Sequence, residues 1–302
     1  MGDPFGGADG VWLRCALHAH STESDGELAP AALAVHYFRA GYDALAITDH
    51  HVRTLAPARD RLLALPSTEL DARLPDGRLA HVLGFGIAAD PWPRSETRSL
   101  EETVAWIAGE GGAAYVAHPH WSGLRARDWE RCEGVLGIEV YNAGCELEVG
   151  RGDAVSQWDE ALQAGRRCFA LATDDTHHPG FDSGFAAVLV HAAERSPEAV
   201  LAALRDGAFY SSTGPLVHAL ERDDDGLVVR CSAAASVGLV CDPGRGARVH
   251  AGRLAYRHGS EVLEADDDGR ITAARLARPP GTSYARLEIV DARGRRAWTN
   301  PL

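Results

Sequence analysis

No apolar run in this 302-residue chain reaches the about 18 residues that a membrane-spanning helix needs, so no span is expected. Its first ten residues, MGDPFGGADG, have neither a basic n-region nor an apolar h-region, so no signal peptide is expected either. No two of the six cysteines (Cys15, Cys132, Cys145, Cys168, Cys231, Cys241) form a CxxC pair, which excludes a zinc knuckle. Six is sparse for a disulfide scaffold, and the set reads as reduced, mostly buried thiols. An excess of positive charge is missing as well. With 30 basic and 43 acidic residues the formal net charge is -13, and such a chain repels phosphate backbones. Broad nucleic-acid binding is therefore disfavoured, although a local pocket for one phosphate stays open. There is no GxSxG elbow and no P-loop. These absences predict a cytoplasmic protein with no membrane partner.

What is present alternates short apolar runs with helical patterns. VWLRCAL (11–17) reads as a strand. Pro30 opens a helix over PAALAVHYFRA and Gly41 closes it, as proline at the first turn and glycine past the end usually do. DALAIT (43–48) is an apolar strand, and LLALPST (62–68) holds a short one. Turn residues Pro75, Asp76 and Gly77 predict a hairpin into LAHVLGFGI. Ser99 caps a helix that passes Trp106 and Ile107 and ends at Gly111-Gly112. AAYVA (113–117), GIEVY (137–141), CFALAT (168–173) and FAAVLVH (185–191) are further strands. Helices are expected between Asp153 and Ala164 and over SPEAVLAALRDG (196–207). This alternation predicts an α/β fold with a largely parallel sheet, barrel or open. After STGPL (212–216) helical periodicity fades, and short strand-like runs are separated by turns such as DPGRG and RPPG. Residues 1–214 and 215–302 are thus two domains, the second a small antiparallel β domain. Asp223-Asp224-Asp225-Gly226 and Asp266-Asp267-Asp268-Gly269 lack the glutamate that closes an EF-hand loop and read as hairpin turns. Trp106, Trp158 and Trp298 read as packing residues.

The chemistry-bearing residues gather where strands end. Ten of the 14 histidines lie at or before residue 178. His18 and His20 follow the first strand, and Asp49, His50 and His51 the second. Glu69 follows the strand near 65–68. His118 and His120 follow AAYVA, and Asp174, Asp175, His177 and His178 follow CFALAT. In α/β barrels the active site forms at the C-terminal edge of the strands, so five strand ends would deliver these groups to one rim. Neutral imidazole and carboxylate ligate zinc, manganese or iron. In an extended segment residues two apart share a face, so His18 and His20 can serve one ion together. Taken singly, His36, His191, His218, His250 and His258 are better read as ordinary surface or packed histidines.

The motifs LHAHSTESDG (17–26), ITDHH (47–51), STEL (67–70), AHVLGFG (80–86), AHPH (117–120) and TDDTH (173–177) resemble those of the PHP (polymerase and histidinol phosphatase) superfamily. GIEVYN (137–142), WDEALQAGRRCFALATDDTH (158–177), FYSSTGP (209–215) and AWTNP (297–301) look closest to its CehA/McbA-type metallohydrolases. The resemblance implies a distorted seven-stranded, TIM-like β/α barrel with two or three divalent ions at its C-terminal rim. It implies that His18, His20, Glu69 and Asp175 hold one ion. Glu69 then bridges to a second ion, held with His81 and His118. Asp25, His50 and His177 hold a third. Asp49 would orient the neighbouring site from behind its ligands. The placement of His81, and the choice of Asp175 over Asp174, rest on the family pattern alone.

Clustered ions acidify a bridging water, and the resulting hydroxide attacks phosphorus or a carbonyl carbon without a serine or cysteine nucleophile. His51, His120 and His178 are candidates for proton transfer to the leaving group. Arg125 and Arg127 read first as exposed loop arginines and, more sharply, as a clamp on a substrate phosphate. The leading function is a metal-dependent phosphoesterase acting on a small phosphorylated molecule. The alternatives are a carbamate, ester or amide metallohydrolase, and an exonuclease on short oligonucleotides. A purely structural metal site fits poorly, because such sites saturate one ion with four ligands and nine candidates stand here.

Overall fold

The computed structural model describes residues 5, 9–57, 59, 61–223, 226–254 and 258–302. Asp224 and Asp225, at the centre of one expected hairpin turn, lie outside the described residues. The chain forms two compact units, one Gly10–Phe209 and the other chiefly Tyr210–Leu302. No helix is long and apolar enough to cross a membrane among the described residues.

The first unit is a mixed α/β fold. In chain order it holds β1 (Val11–Ala16), α1 (Pro30–Arg39), β2 (Ala44–Ile47), β3 (Leu63–Arg73), β4 (Leu79–Phe85), β5 (Arg98–Ser99) and α2 (Leu100–Gly109). There follow β6 (Ala113–Val116), β7 (Val135–Asn142), α3 (Ala143–Val149), α4 (Val155–Gln163), β8 (Phe169–Thr173), β9 (Ala187–Ala192) and α5 (Pro197–Asp206). The sheet runs β9-β1-β2-β3-β4-β6-β7-β8, with β5 beside β3. Strands β1 to β3 are mutually parallel, as are β6 to β8. Between these sets β4 runs antiparallel to both neighbours, and β9 runs antiparallel to β1. No ladder between β8 and β9 closes the sheet among the described residues.

Local sequence explains the elements that position the site. Pro30 stands at the first turn of α1, and Ser99 and Glu102 form a capping box that starts α2. Strands β2, β6 and β8 are buried along their whole length, as apolar parallel strands covered on both faces should be. Leu13, Leu17, Phe85, Tyr115, Phe169 and Leu204 belong to one buried core. The short strand expected over 62–68 is instead the 11-residue β3. Its first part pairs with β2 in parallel, and Ser67–Arg73 pairs with β4 antiparallel through the turn at Pro75–Gly77. Two successive partners sustain a strand longer than its apolar stretch, so Glu69 lies inside the strand and not beyond its end.

The second unit is all β: β10 (Phe209–Ser212), β11 (Val217–Asp223), β12 (Gly226–Ala234), β13 (Ser236–Cys241), β14 (Gly246–His250), β15 (Glu261–Ala265), β16 (Ile271–Ala277), β17 (Ala285–Val290) and β18 (Arg296–Thr299). One sheet has the order β14-β13-β17-β18-β10 and the other β11-β12-β16-β15. Their ladders are antiparallel. Val229, Val237, Leu239, Ile271, Leu287, Ile289 and Trp298 fill the interior. The Asp266–Gly269 turn is a hairpin turn, with Asp266 Oδ1 accepting from the backbone of Asp268 and Arg270.

Candidate metal centre

Where β1 stops, the chain stays extended through His18–His20, held on its two sides by His20 N to Thr176 O and Thr48 N to Ala19 O, both 2.8 Å. The period-two geometry turns both rings the same way, and their Nε2 atoms lie 3.1 Å apart. The chain then folds back at Gly26, where an added Cβ would meet His20 O at 2.1 Å, so only glycine fits. Asp25 is carried by this turn. His50 leaves β2, His118 leaves β6, and Asp175 and His177 leave β8.

His81 reaches the same rim from a strand that runs the other way. Because β4 is antiparallel, its beginning lies at the edge where the parallel strands end. Asp71 pairs with His81 in that ladder, and Glu69 shares a face with Asp71 two residues away. Backbone strain marks the rim too. Among the described residues three non-glycines have positive φ, His51 at 55°, His118 at 25° and Asp175 at 55°. Such backbone persists only where surrounding structure imposes it, and it concentrates at functional sites.

The nine residues expected as ligands fall into overlapping groups whose donor atoms lie within 4.8 Å of one another. In the first group, His18 Nε2 is 3.1 Å from Glu69 Oε2 and 3.0 Å from Asp175 Oδ1. His20 Nε2 lies 3.2 Å and 3.1 Å from the same two oxygens. In the second, Glu69 Oε1 is 2.9 Å from His81 Nδ1 and 3.1 Å from His118 Nε2. In the third, Asp25 lies 3.4 Å from His20 Nδ1 and 3.5 Å from His50 Nε2 and His177 Nε2. A fourth grouping, His50, Asp71 and His81, was not expected from sequence.

The donor set fits cations. His18 Nδ1 donates to Glu139 Oε1 at 2.6 Å, so Nε2 is the nitrogen turned toward the cluster. It faces another imidazole and two carboxylates. His50 Nδ1 is buried in this crowd without a hydrogen-bond partner. Burial opposes a proton on His18, yet the carboxylates of Asp175, Glu139 and Glu69 raise its pKa well above the usual histidine value. For His20, burial is again outweighed, by hydrogen bonds to Asp175 and Glu69, and the pKa rises to about 9. Burial pushes the Glu69 pKa up, but His18, His81 and His118 pull it well below the carboxylate range. A field that draws protons this strongly into a buried cluster is one that divalent ions would satisfy.

The remaining expected residues separate from the cluster. Asp49 is buried and accepts from Ser21 N, Ser21 Oγ, Ser24 Oγ and Thr54 Oγ1. It shapes the turn that carries Asp25 and stands behind His20 through Ser24 Oγ, which lies 3.4 Å from His20 Nδ1, while Glu139 contacts His18 directly. Asp174 turns away, bonded by Tyr37 Oη and the backbone of Gly184, Phe185 and Ala186. His51 donates from Nδ1 to Trp92 O at 3.1 Å and accepts from Asp71 N at 3.0 Å, so both ring nitrogens serve the backbone. A cavity of about 330 Å³ opens beside the cluster, with His178 on its wall and neither His51 nor His120 among its lining. Arg125 and Arg127 are exposed, as first read, Arg125 pairing with Glu160 and Arg127 lining a different pocket; the alternative arginine clamp does not form there, and Arg94 lines the cavity. Sequence reading also missed Glu139 and Asn142, which donates to Glu139 Oε2 and Asp175 Oδ2. A charged residue inside the apolar run of β7 was the available signal for Glu139.

No family model and no curated protein matches the chain. Among solved structures, it is similar to a two-domain protein from Bacteroides vulgatus containing a predicted PHP-like metal-dependent phosphoesterase. The TM-score is 0.52 at 16% identity, over 98% of this chain and 97% of that one. It is also similar to an amidohydrolase from Chromobacterium violaceum, TM-score 0.41 at 18% identity, over 56% of this chain and 89% of that one. The chain thus shares its fold with that two-domain protein from Bacteroides vulgatus.

Proposed function

We propose that the protein is a metal-dependent hydrolase and, within that class, a phosphoesterase acting on a small phosphorylated molecule. Glu69 carries the reading: it is buried, and each of its oxygens addresses a different pair of histidines. A carboxylate used in this way bridges two ions, whereas a structural site closes around one. His18, His20, Glu69 and Asp175 would hold the first ion, Glu69, His81 and His118 the second, and Asp25, His50 and His177 the third. Zinc, manganese and iron all suit this donor set. When bound, such ions supply an acidified water and positive charge against the charge that develops on the substrate.

The chain's own residues prepare that chemistry. Glu139 fixes the tautomer of His18, and Asn142 locks Glu139 to Asp175. His178, exposed on the cavity wall and 3.6 Å from Glu27, is the histidine placed to hand a proton to a leaving group. Three donor groups around one cavity favour a phosphoryl centre, which carries charge on several oxygens, over a carbamate with a single carbonyl oxygen. In this reading residues 1–214 form the hydrolase domain and 215–302 a small β domain. The test is elemental analysis followed by turnover of p-nitrophenyl phosphate, its diester and an aryl carbamate. Two or three transition-metal equivalents with phosphoester turnover are expected. Protein that binds no metal and stays inert after reconstitution would overturn the reading.

A further inference from the structure

The cavity beside the histidines has four carboxylates in its wall, Asp25, Glu69, Glu148 and Asp175, and one guanidinium, that of Arg94. The chain contains no lysine, so every permanently charged cationic side chain is an arginine. Arg94 stands in the segment between β4 and β5 and is built onto the site from one side. Its Nε donates to Asp71 Oδ2 at 2.6 Å and its Nη2 to Asp71 Oδ1 at 3.2 Å. This side-on pairing leaves the Nη1 amino group unused by Asp71. The Arg94 side chain is 54% exposed while Asp71 is buried.

The segment is pinned close by. Trp92 is buried, its edge against Trp106 and the Arg98 guanidinium 3.9 Å over its ring. The Trp92 carbonyl accepts from His51, which in turn accepts from the backbone of Asp71. His51 therefore ties the Arg94 segment to β3, and Asp71 Oδ1 lies 3.5 Å from His81 Nε2. His50, Asp71 and His81 are grouped as a cation site would be, yet Asp71 already carries the guanidinium. Arg94 supplies the fixed positive charge at that corner of the cavity.

We propose that Arg94 is the anion-recognising residue of this cavity and makes it selective for phosphomonoesters; the proposal rests on the hydrolase reading above. A phosphomonoester brings three non-bridging oxygens and two negative charges. The donor groups of the cluster face the scissile side, and a guanidinium edge offers directed N–H donors to an oxygen left over. A diester carries one charge fewer, and a neutral carboxylic ester offers none.

The test compares Arg94→Gln and Arg94→Lys with the parent protein on p-nitrophenyl phosphate, bis(p-nitrophenyl) phosphate and p-nitrophenyl acetate. These probes share a leaving group, so its binding cancels. Arg94→Gln is expected to lower kcat/KM on the monoester ~100-fold, on the diester ~10-fold and on the acetate less than ~3-fold, the range for lost hydrogen bonds to charged groups. Arg94→Lys should recover part of the monoester loss, and metal content should not change. Calorimetric binding of inorganic phosphate to the metal-loaded protein should weaken more than ~10-fold in Arg94→Gln. Equal losses on all three probes, or none on the monoester, would overturn the proposal, the first because Arg94 would then merely hold Asp71. If the parent hydrolyses no probe, the hydrolase reading fails separately. Phosphate binding then decides the anion site: dependence on Arg94 supports it and independence overturns it.

Discussion

In the unit Gly10–Phe209, Glu69, Glu139 and Asp175 are buried against ring nitrogens. In the unit chiefly Tyr210–Leu302, Asp242, Asp266 and Asp291 sit on turns and accept backbone N–H groups. Among the described residues every metal-type grouping, and every non-glycine with positive φ, falls in the first unit. The same residue types thus serve two ends. Asp266 and Asp291 are satisfied by their own hairpins, and Asp242 by Ser283. The buried carboxylates are instead shared among ring nitrogens and Asn142 in a cluster whose crowded donors suit cations.

The largest expected effect breaks the first side of that contrast. Glu69→Gln keeps the shape but removes the charge between the two histidine pairs. Activity should fall on the order of 10³-fold, as several kcal/mol of charge stabilisation would dictate, and bound metal should drop. Elemental analysis beside kcat checks it; full metal content and full activity would remove Glu69 from the site. Trp298→Ala tests the other side. Trp298 is fully buried in the second unit. Truncation should cost about 3–5 kcal/mol in urea melts, yet leave the metal equivalents of the folded fraction unchanged. Metal loss in folded Trp298→Ala would mean that the two units do not divide the labour as described. A smaller effect is expected for Glu139→Gln, which leaves all nine donors in place. Weaker backing of His18 should lower metal affinity about 10–100-fold in a chelator competition, and unchanged affinity would reduce Glu139 to a packing residue.

Much of this contrast was legible in the sequence. The HxH pair, the Asp-x-His pair and the histidines after β2 and β6 could be placed because strand ends face one rim whatever the loops do. His81 could be placed only by family pattern. Its position depends on β4 running backwards, and strand direction leaves no mark in periodicity. Glu139 and Asp71 lie inside strands, where a lone acid in an apolar run signals burial but not its partner. Asp174 and Asp175 stand side by side after β8, and only the family pattern separated them, because which way a side chain turns from a strained strand end is a tertiary outcome. Arg94 was out of reach, because its route to the cavity runs through Trp92, His51 and Asp71, far apart in the chain.

The smallest effect sharpens the second side of the comparison. Asp291 closes the hairpin between β17 and β18, its Oδ1 accepting from Arg293 N and Arg295 N and its Oδ2 from Arg295 Nε at 2.7 Å. Burial pushes its pKa up, but these hydrogen bonds win and hold it below the ordinary aspartate value. A carboxylate with a depressed folded-state pKa adds stability above its unfolded pKa, about 3.9, and loses it as pH falls through the folded value. Asp291→Asn retains one acceptor and loses the charge facing a half-exposed arginine, so the cost at pH 7 should stay under about 1 kcal/mol. The difference between parent and variant should then shrink between pH 5 and about pH 3, since every other titrating group is common to both. Urea melts at pH 7 and pH 3 measure it, and metal content should be the same in both proteins. A gap that persists undiminished at pH 3 would mean that Asp291 acts through shape and not charge, and the turn carboxylates would then differ from the buried ones in more than their partners.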